Sequence, residues 1–460
     1  MKKTFICAAV LLACSLSLSA QNKKGGISEQ MLSRIRQGYA ATPDQKAVKN
    51  ALAINPISEL SMNAENAAMG DTHFAYRVAT KGITDQKKSG RCWLFTGLNV
   101  LRAKMISKYN LPEFEFSQNY CSFYDQLEKS NLFLQAIIDT KDLPLDDRQV
   151  EWLLKNPIGD GGQFTGVSNL IMKYGVVPKS AMPETYQSEN TNGMASILKL
   201  KLRQYALELR EMKGKTEDRK TEMLTEIYRI LVECLGVPPT EFEWTMRDKD
   251  GKVVSTKTYT PKSFYQEYIG EDLEKNYVMI MNDPTREYGK VYEIDYDRHV
   301  YDGENWLYVN LPIERVKEIA IASIKNNTAM YFSCDVAKFL NAKKGTMDLK
   351  NFDYESLFAT DFPMDKKQRV QTFASGSSHA MTLIAVDVDK DGKPTKWMVE
   401  NSWGAAAGYN GCLIMTDEWF EEYMFRVVAE KQFVPADVLE MLKQKPIKLP
   451  AWDPMFQPEE

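Results

Sequence analysis

The stretch Gln86-Lys87-Lys88-Ser89-Gly90-Arg91-Cys92-Trp93 places a cysteine at the start of a predicted helix. Apolar residues follow at three- and four-residue steps as far as about Tyr109, and Ser89 is a suitable helix N-cap. The positive end of a helix dipole and the unpaired backbone N–H groups there favour a thiolate. Most single cysteines are core residues, but a core cysteine gains nothing from this position. Cys92 is therefore a candidate nucleophile.

Gln86 lies six residues before this cysteine, in a segment that leads into the helix. Its side-chain N–H can reach the oxyanion of a tetrahedral intermediate together with the backbone N–H of Cys92. One such donor contributes about 3–4 kcal/mol of transition-state stabilisation. Taken alone, a glutamine at this spacing fits an ordinary surface residue equally well.

The base must come from the three histidines of the chain, His73, His299 and His379. The first two lie among polar, loop-like neighbours, whereas His379 opens an apolar run that ends at Val388 and is typical of a buried strand. A histidine at the entrance of a strand can be held rigidly at the edge of a cleft. We therefore predict that His379 is the general base.

The segment Asn401-Ser402-Trp403-Gly404 ends the next extended stretch. The side-chain carbonyl of Asn401 can accept a hydrogen bond from the imidazole and fix its tautomer, and Trp403 can shield that bond from water. An ordinary turn at a strand end is the alternative, since Asn and Gly favour turns.

In order and in local sequence, these motifs resemble the papain superfamily. More narrowly, the chain is similar to the bleomycin hydrolase and aminopeptidase C family over roughly residues 60–460. The stretches that carry this resemblance, besides the one around Cys92, are Phe114-Glu115-Phe116-Ser117-Gln118, Asp160-Gly161-Gly162-Gln163, Arg247-Asp248-Lys249-Asp250, His379-Ala380-Met381-Thr382, Thr416-Asp417-Glu418-Trp419-Phe420 and Leu449-Pro450-Ala451-Trp452-Asp453-Pro454-Met455.

The resemblance implies an α+β, papain-like fold with a helical lobe, a β-rich lobe and a cleft between them. It also implies a cysteine aminopeptidase that acts on peptides without a metal or other cofactor. By position, Cys92, His379, Asn401 and Gln86 inherit the catalytic roles. The pair Gly161–Gly162 would line the cleft, where bare backbone can pair with an extended substrate, although a simple turn is the alternative.

Residues 1–20 are expected to be a signal peptide, because two lysines precede a short apolar run and small residues end at Ala20. The mature protein is then exported to the periplasm or the cell exterior. A lipoprotein site at Cys14 is the alternative, and the Ser-Ala ending favours ordinary cleavage. No other apolar stretch reaches membrane-spanning length. Residues 21–460 are predicted to form one peptidase domain, with a helical hairpin inserted at 194–236.

Residues 445–460 are predicted to form an extended arm with no helix or strand pattern, stiffened by prolines and anchored by Trp452, Met455 and Phe456. The resemblance implies that this arm lies in the active-site cleft. There Glu460 would block one side and attract the α-ammonium group of a substrate. The family also implies a homohexameric barrel.

Two other functions are considered. One is an endopeptidase whose tail leaves the cleft open, and the other is a catalytically silent barrel that binds peptides or nucleic acid. The chain of 460 residues has a formal net charge of −4 and no Arg/Lys cluster interleaved with aromatic residues, which argues against nucleic acid. Neither a zinc pattern nor a disulfide framework is visible in its widely spaced cysteines.

Overall fold

The computed structural model describes residues 25–39, 42–66 and 70–455. Two compact units, Met1–Ser61 and Met62–Glu460, divide the chain. The expected signal peptide, with Cys14, lies outside the described residues, as do Phe456 and Glu460. The division falls inside the predicted domain 21–460, whose extent stays a prediction.

The described part of the first unit forms three helices, α1 (Glu29–Gly38), α2 (Pro43–Leu52) and α3 (Ile57–Leu60). Helix α2 begins at a capping box, in which Thr42 and Gln45 satisfy each other's backbone N–H groups, and Pro43 occupies the first helical position. Local chemistry therefore sets the start of this helix.

The helices of the second unit are α4 (Cys92–Tyr109), α5 (Gln118–Asp139), α6 (Arg148–Lys155), α7 (Phe164–Tyr174), α8 (Tyr186–Glu189), α9 (Asn192–Glu211), α10 (Thr216–Leu235), α11 (Pro261–Tyr268), α12 (Ile313–Lys325), α13 (Tyr354–Phe358), α14 (Lys366–Gln371), α15 (Asp417–Tyr423) and α16 (Ala436–Met441). Helices α9 and α10 are the predicted helical hairpin. A turn with left-handed backbone at Gly214 and Lys215 joins them. Within the described residues, no helix is both long enough and apolar enough to cross a membrane.

The strands are β1 (Tyr76–Arg77), β2 (Phe242–Arg247), β3 (Val253–Tyr259), β4 (Tyr277–Met281), β5 (Val291–Ile294), β6 (Leu307–Asn310), β7 (Met330–Cys334), β8 (Leu340–Asn341), β9 (Thr346–Met347), β10 (His379–Val388), β11 (Pro394–Glu400), β12 (Cys412–Thr416), β13 (Met424–Glu430) and β14 (Ile447–Leu449). Twelve of them form one mixed sheet in the order β14-β5-β6-β4-β13-β7-β10-β11-β12-β9-β8, with β1 added beside β10. Strands β2 and β3 form a separate hairpin.

Two hydrophobic cores fill the second unit. One is built mainly from helices and contains Trp93, Phe123 and Leu198, whereas the other is built mainly from the sheet and contains Phe332 and Trp397. Helix α4 supplies residues to both cores and packs against β10. Apolar residues surround most of the circumference of α4, as is typical of a helix that is buried on nearly all sides. It holds its first residue, Cys92, beside the central strands.

The C-terminal arm differs from the prediction in one respect. Its first part is strand β14, which pairs in parallel with β5, so backbone pairing as well as apolar anchoring fixes it. Met455 is buried as predicted. The guanidinium carbon of Arg148 lies 4.5 Å from the centre of the Trp452 ring. A three-residue strand is too short to leave a periodic pattern, and its partner is distant in sequence.

Candidate active site

Cys92 is the first residue of helix α4 and is fully buried. The predicted N-cap, Ser89, is wrong, because Arg91 occupies the cap position without a side-chain cap bond. The hydroxyl of Ser89 instead donates to the carbonyl of Gln86 at 2.7 Å and accepts from Nε of Arg91 at 3.0 Å. The first backbone N–H groups of the helix therefore lack a capping side chain beside the sulfur.

His379 and Asn401 are joined by a hydrogen bond between Nε2 and Oδ1, 2.8 Å long, with both side chains buried. The backbone N–H of Ser402 donates to the same Oδ1 at 2.8 Å, which fixes the orientation of the amide. Since a carbonyl oxygen only accepts, Nε2 carries the hydrogen, and Nδ1 is left for proton transfer. Neighbouring antiparallel strands, β10 and β11, bring the two residues together. The Trp403 ring covers the imidazole, with ring centres 4.9 Å apart.

Gln86 makes three hydrogen bonds besides the one that its carbonyl accepts from the Ser89 hydroxyl. Its Oε1 accepts from the Ser402 hydroxyl at 2.6 Å, its Nε2 donates to the Ser89 carbonyl at 2.7 Å, and its backbone N–H donates to the Ser402 carbonyl at 2.8 Å. A bridge between Asp85 and Trp403 adds to this connection. The loop that precedes Cys92 is therefore tied to the segment that carries Asn401, and Asn401 in turn is bonded to His379.

The glycine loop of residues 159–162 is fixed from three directions. Lys129 donates to the carbonyls of Gly159 and Gly161 at 3.0 and 2.7 Å. The indole N–H of Trp93 donates to the Asp160 carbonyl at 2.7 Å, and the Asp160 carboxylate accepts from the backbone N–H of Gly90 at 3.1 Å. The loop is thereby attached directly to the residues that flank Cys92.

Gly162 is required by packing as well as by any contact with substrate. A Cβ atom there would lie 2.3 Å from Cε1 of His299 and 2.8 Å from Cδ2 of Trp93. His299 is buried, and its Nδ1 lies 2.5 Å from the carboxylate of Asp125. The loop backbone at Gly161 and Gly162 and the side chain of His299 line the same cavity of about 210 Å3.

Burial raises the pKa of two other cysteines, that of Cys121 to about 12 and that of Cys412 to about 11. Both are therefore protonated thiols at neutral pH. Across residues 25–39, 42–66 and 70–455, no group of three or more His, Cys, Asp or Glu side chains is arranged to hold a metal ion.

The model of the Peptidase C1-like family matches residues 26–456. The chain belongs to this family. Among similar proteins of the family, human bleomycin hydrolase is 39% identical over 446 residues, covering 94% of this chain and 98% of that protein. Aminopeptidase C of Lactobacillus delbrueckii subsp. lactis is 39% identical over 424 residues, covering 90% and 94%. The crystal structure of PepW from Lactobacillus rhamnosis has a TM-score of 0.91 at 37% identity, covering 94% and 99%.

Membership of the Peptidase C1-like family confirms the predicted α+β, papain-like fold and the predicted class, a cysteine-type peptidase. Within this family architecture, sequence reasoning missed residues that hold the site rather than react in it. They are Ser402, which anchors Gln86, and Lys129 and Asp160, which fix the glycine loop. Ser402 and Asp160 lie inside motifs that the sequence analysis quoted, but Lys129 left no local signal.

Proposed function

We propose that the chain is an aminopeptidase that removes N-terminal residues from peptides, with Cys92 as its nucleophile. The observation that carries this proposal is the His379–Asn401 hydrogen bond, with Gln86, six residues before Cys92, fastened to the adjoining Ser402. Similar proteins named aminopeptidase C and bleomycin hydrolase support the same activity.

In the proposed reaction, the Cys92 thiolate attacks the carbonyl carbon of the first peptide bond, and the carbonyl oxygen becomes an oxyanion. The second N–H of the Gln86 amide and the backbone N–H of Cys92 stabilise that charge. Protonated His379 then gives its Nδ1 proton to the departing amine, which leaves a thioester. Next, His379 takes a proton from water as the water attacks the thioester, and the acid product and the thiolate are released. Asn401 keeps the imidazole in one tautomer throughout.

The substrate would lie along Gly161 and Gly162, whose loop is rigid before substrate arrives. A rigid backbone loses little entropy on binding an extended peptide. The adjoining cavity of about 210 Å3 offers room for a side chain. Trp403 closes the site over His379 and limits access of water.

The arm supplies the proposed exopeptidase specificity. It is fastened as far as Met455, whose carbonyl accepts from the guanidinium of Arg426 and whose N–H donates to Asp453 at 3.0 Å. Five residues remain up to Glu460, and an extended chain of that length reaches about 17 Å. We assign Glu460 as the residue that attracts the substrate's α-ammonium.

A pair of peptides tests the activity. A dipeptide amide with a free N-terminus and its N-acetylated form differ only at the amine, and an aminopeptidase cleaves the first and spares the second. Equal cleavage of both would instead indicate an endopeptidase with an open cleft. Cleavage of neither would favour a silent binding protein. Cys92→Ala should abolish hydrolysis without a change in melting temperature.

Truncation after residue 455 tests the arm separately. The truncated protein should gain cleavage of the acetylated peptide, because the negatively charged end no longer blocks the cleft. An unchanged ratio of free to acetylated cleavage would remove the arm from the mechanism. Replacing Glu460 with Gln removes its negative charge alone and keeps the length of the arm.

Assembly and export belong to the same proposal. A homohexamer is proposed by analogy with the family and should elute at about six times the mass of one chain, whereas a monomer would refute it. Export through residues 1–20 predicts a mature protein that begins after Ala20, which N-terminal sequencing checks. A lipid-modified Cys14 at the mature N-terminus would contradict this cleavage and indicate a lipoprotein.

A further inference from the structure

A buried ion pair connects the elements that carry the proposed catalytic residues. Arg102 lies on α4, ten residues after Cys92, and its Nη2 lies 2.5 Å from Oε1 of Glu400. Glu400 is the last residue of β11 and directly precedes Asn401. The side chains of this pair are only 5% and 1% exposed, so bulk water screens the interaction little.

The same guanidinium has a second partner on the loop that carries Gln86. Nη2 of Arg102 also donates to the carbonyl of Gly82, at 3.1 Å. A parallel bond runs from Nδ2 of Asn99, on the same helix, to the hydroxyl of Thr84 at 2.9 Å. One side chain therefore touches the loop before the nucleophile and the strand end before Asn401, while its backbone belongs to the helix of the nucleophile.

His379 is connected to this pair through the sheet. Strand β10, which His379 opens, pairs with β11 so that Thr382 lies opposite Glu400. A shift of α4 relative to the end of β11 would therefore move the sulfur relative to both the imidazole and its amide partner.

Stability alone is a poor reason for such a pair. Removing two charges from water is costly, and replacing a buried ion pair with apolar side chains of similar volume is often neutral or stabilising. Burial raises the pKa of Glu400 while Arg102 opposes that shift, and the nearby cation Arg77 acts in the same direction as Arg102. What an ion pair adds over an apolar contact is a specific distance and direction between two elements.

We propose that Arg102 and Glu400 are positioning residues that set the distance between the Cys92 sulfur and the His379–Asn401 pair. The inference rests on the proposed cysteine mechanism. It assigns no contact with substrate to either residue. An error of about 1 Å in the relation between reacting groups can cost on the order of 100-fold in rate.

Three variants test the pair. Arg102→Met and Glu400→Gln should lower kcat at least about tenfold with KM changed less than about twofold, because alignment rather than binding is lost. The pH profile of kcat/KM should shift, since the sulfur and imidazole share a proton less well. Arg102→Lys should recover part of kcat, because it retains a charge for Glu400 while losing the forked contact with Gly82.

Lys317→Met is the matched control. Lys317 pairs with Asp417 at 2.5 Å and joins α12 to α15, with exposures of 9% and 18%. This variant should lower the melting temperature and leave kcat and the pH profile as in the wild type.

Wild-type kcat and pH profile in both Arg102→Met and Glu400→Gln, measured well below their melting temperatures, would overturn the inference. If Arg102→Met does not fold, Glu400→Gln, which keeps the size of the side chain and a hydrogen-bond acceptor, decides. The rate at which iodoacetamide alkylates Cys92 needs no substrate and separates the two proposals. A shifted alkylation profile in an enzyme that cleaves no peptide would support the positioning role and refute the aminopeptidase.

Discussion

Gln86→Ala is the substitution whose effect can be followed most fully from the structure. The wild-type amide bonds Ser402 through its oxygen and Ser89 through one N–H, and its second N–H is proposed to face the oxyanion. The substitution removes all three. It therefore has separate consequences for the folded state and for the transition state.

The two magnitudes can be estimated independently. Loss of an oxyanion donor costs about 2.7–4 kcal/mol of transition-state stabilisation, which corresponds to a fall of about 100- to 1,000-fold in kcat. In the folded state, the Ser402 hydroxyl and the Ser89 carbonyl lose their partners while buried, at about 1–3 kcal/mol each. KM should change little, because the oxyanion forms only after binding.

Steady-state hydrolysis of a free dipeptide amide, with urea unfolding in parallel, measures both quantities. Ser402→Ala is the comparison, because it removes the anchor of the amide and leaves the amide in place. It should lower kcat less than Gln86→Ala does. A kcat for folded Gln86→Ala within about threefold of the wild type would refute the oxyanion assignment, since that change is below 1 kcal/mol.

Three further predictions concern the glycine loop, the buried histidine and the arm. Gly162→Ala should destabilise the protein by about 1–3 kcal/mol and lower activity, whereas Gly159→Ala, whose added Cβ would meet nothing within 4 Å, should do neither in urea melts and peptide assays. Burial lowers the pKa of His299, so near pH 6.5 the unfolded chain takes up a proton that the folded protein does not. The free energy of unfolding should therefore fall as the pH drops below 6.5, with a slope of at most about 1.4 kcal/mol per pH unit. Urea melts at pH 7.5 and 5.5 check this, and an equal slope in His299→Gln would contradict it. Asp453→Ala removes the buried partner of Arg286 and should destabilise the docked arm by about 2–3 kcal/mol. Cleavage of the acetylated peptide should then rise relative to cleavage of the free peptide. An unchanged ratio of the two cleavage rates would count against a fastened arm.

Local patterns carried most of the successful predictions. The apolar steps after Cys92, the run from His379 to Val388 and the two stripes of the helical hairpin all appear as the expected elements. These segments are long or fully buried, so their side-chain period is set by the fold. The motifs also predicted two of the observed links, since His379 is bonded to Asn401 and Gln86 is bonded to the adjoining Ser402.

Loop geometry and contacts between distant segments account for what the sequence did not reveal. Ser89 has the chemistry of an N-cap, but its hydroxyl is used by Gln86 and Arg91. His299 has polar neighbours in the chain, yet its ring fills the space behind Gly162. The partners of Ser89 lie three and two residues away, so the geometry of a short loop decides this contact. The contact of His299 with Gly162 joins residues that are far apart in the chain, and no local pattern reports it.

Charged side chains that support the site were equally invisible. Arg102 and Glu400 lie on two elements that are mostly apolar in sequence. A charged residue in such an element is expected to face solvent unless a buried partner of opposite charge is known. Only coordinates show that the two charges meet beside Asn401.

The most direct test of the account is the pH dependence of Cys92 alkylation by iodoacetamide in wild-type protein and in His379→Ala. A thiolate paired with an imidazolium predicts rapid alkylation well below pH 8.5, the usual pKa of a cysteine, and loss of that reactivity in the variant. Buried Cys121 and Cys412, whose pKa values are raised, should not react in this range. A single titration near pH 8.5 that is the same in both proteins would contradict the pairing of Cys92 with His379.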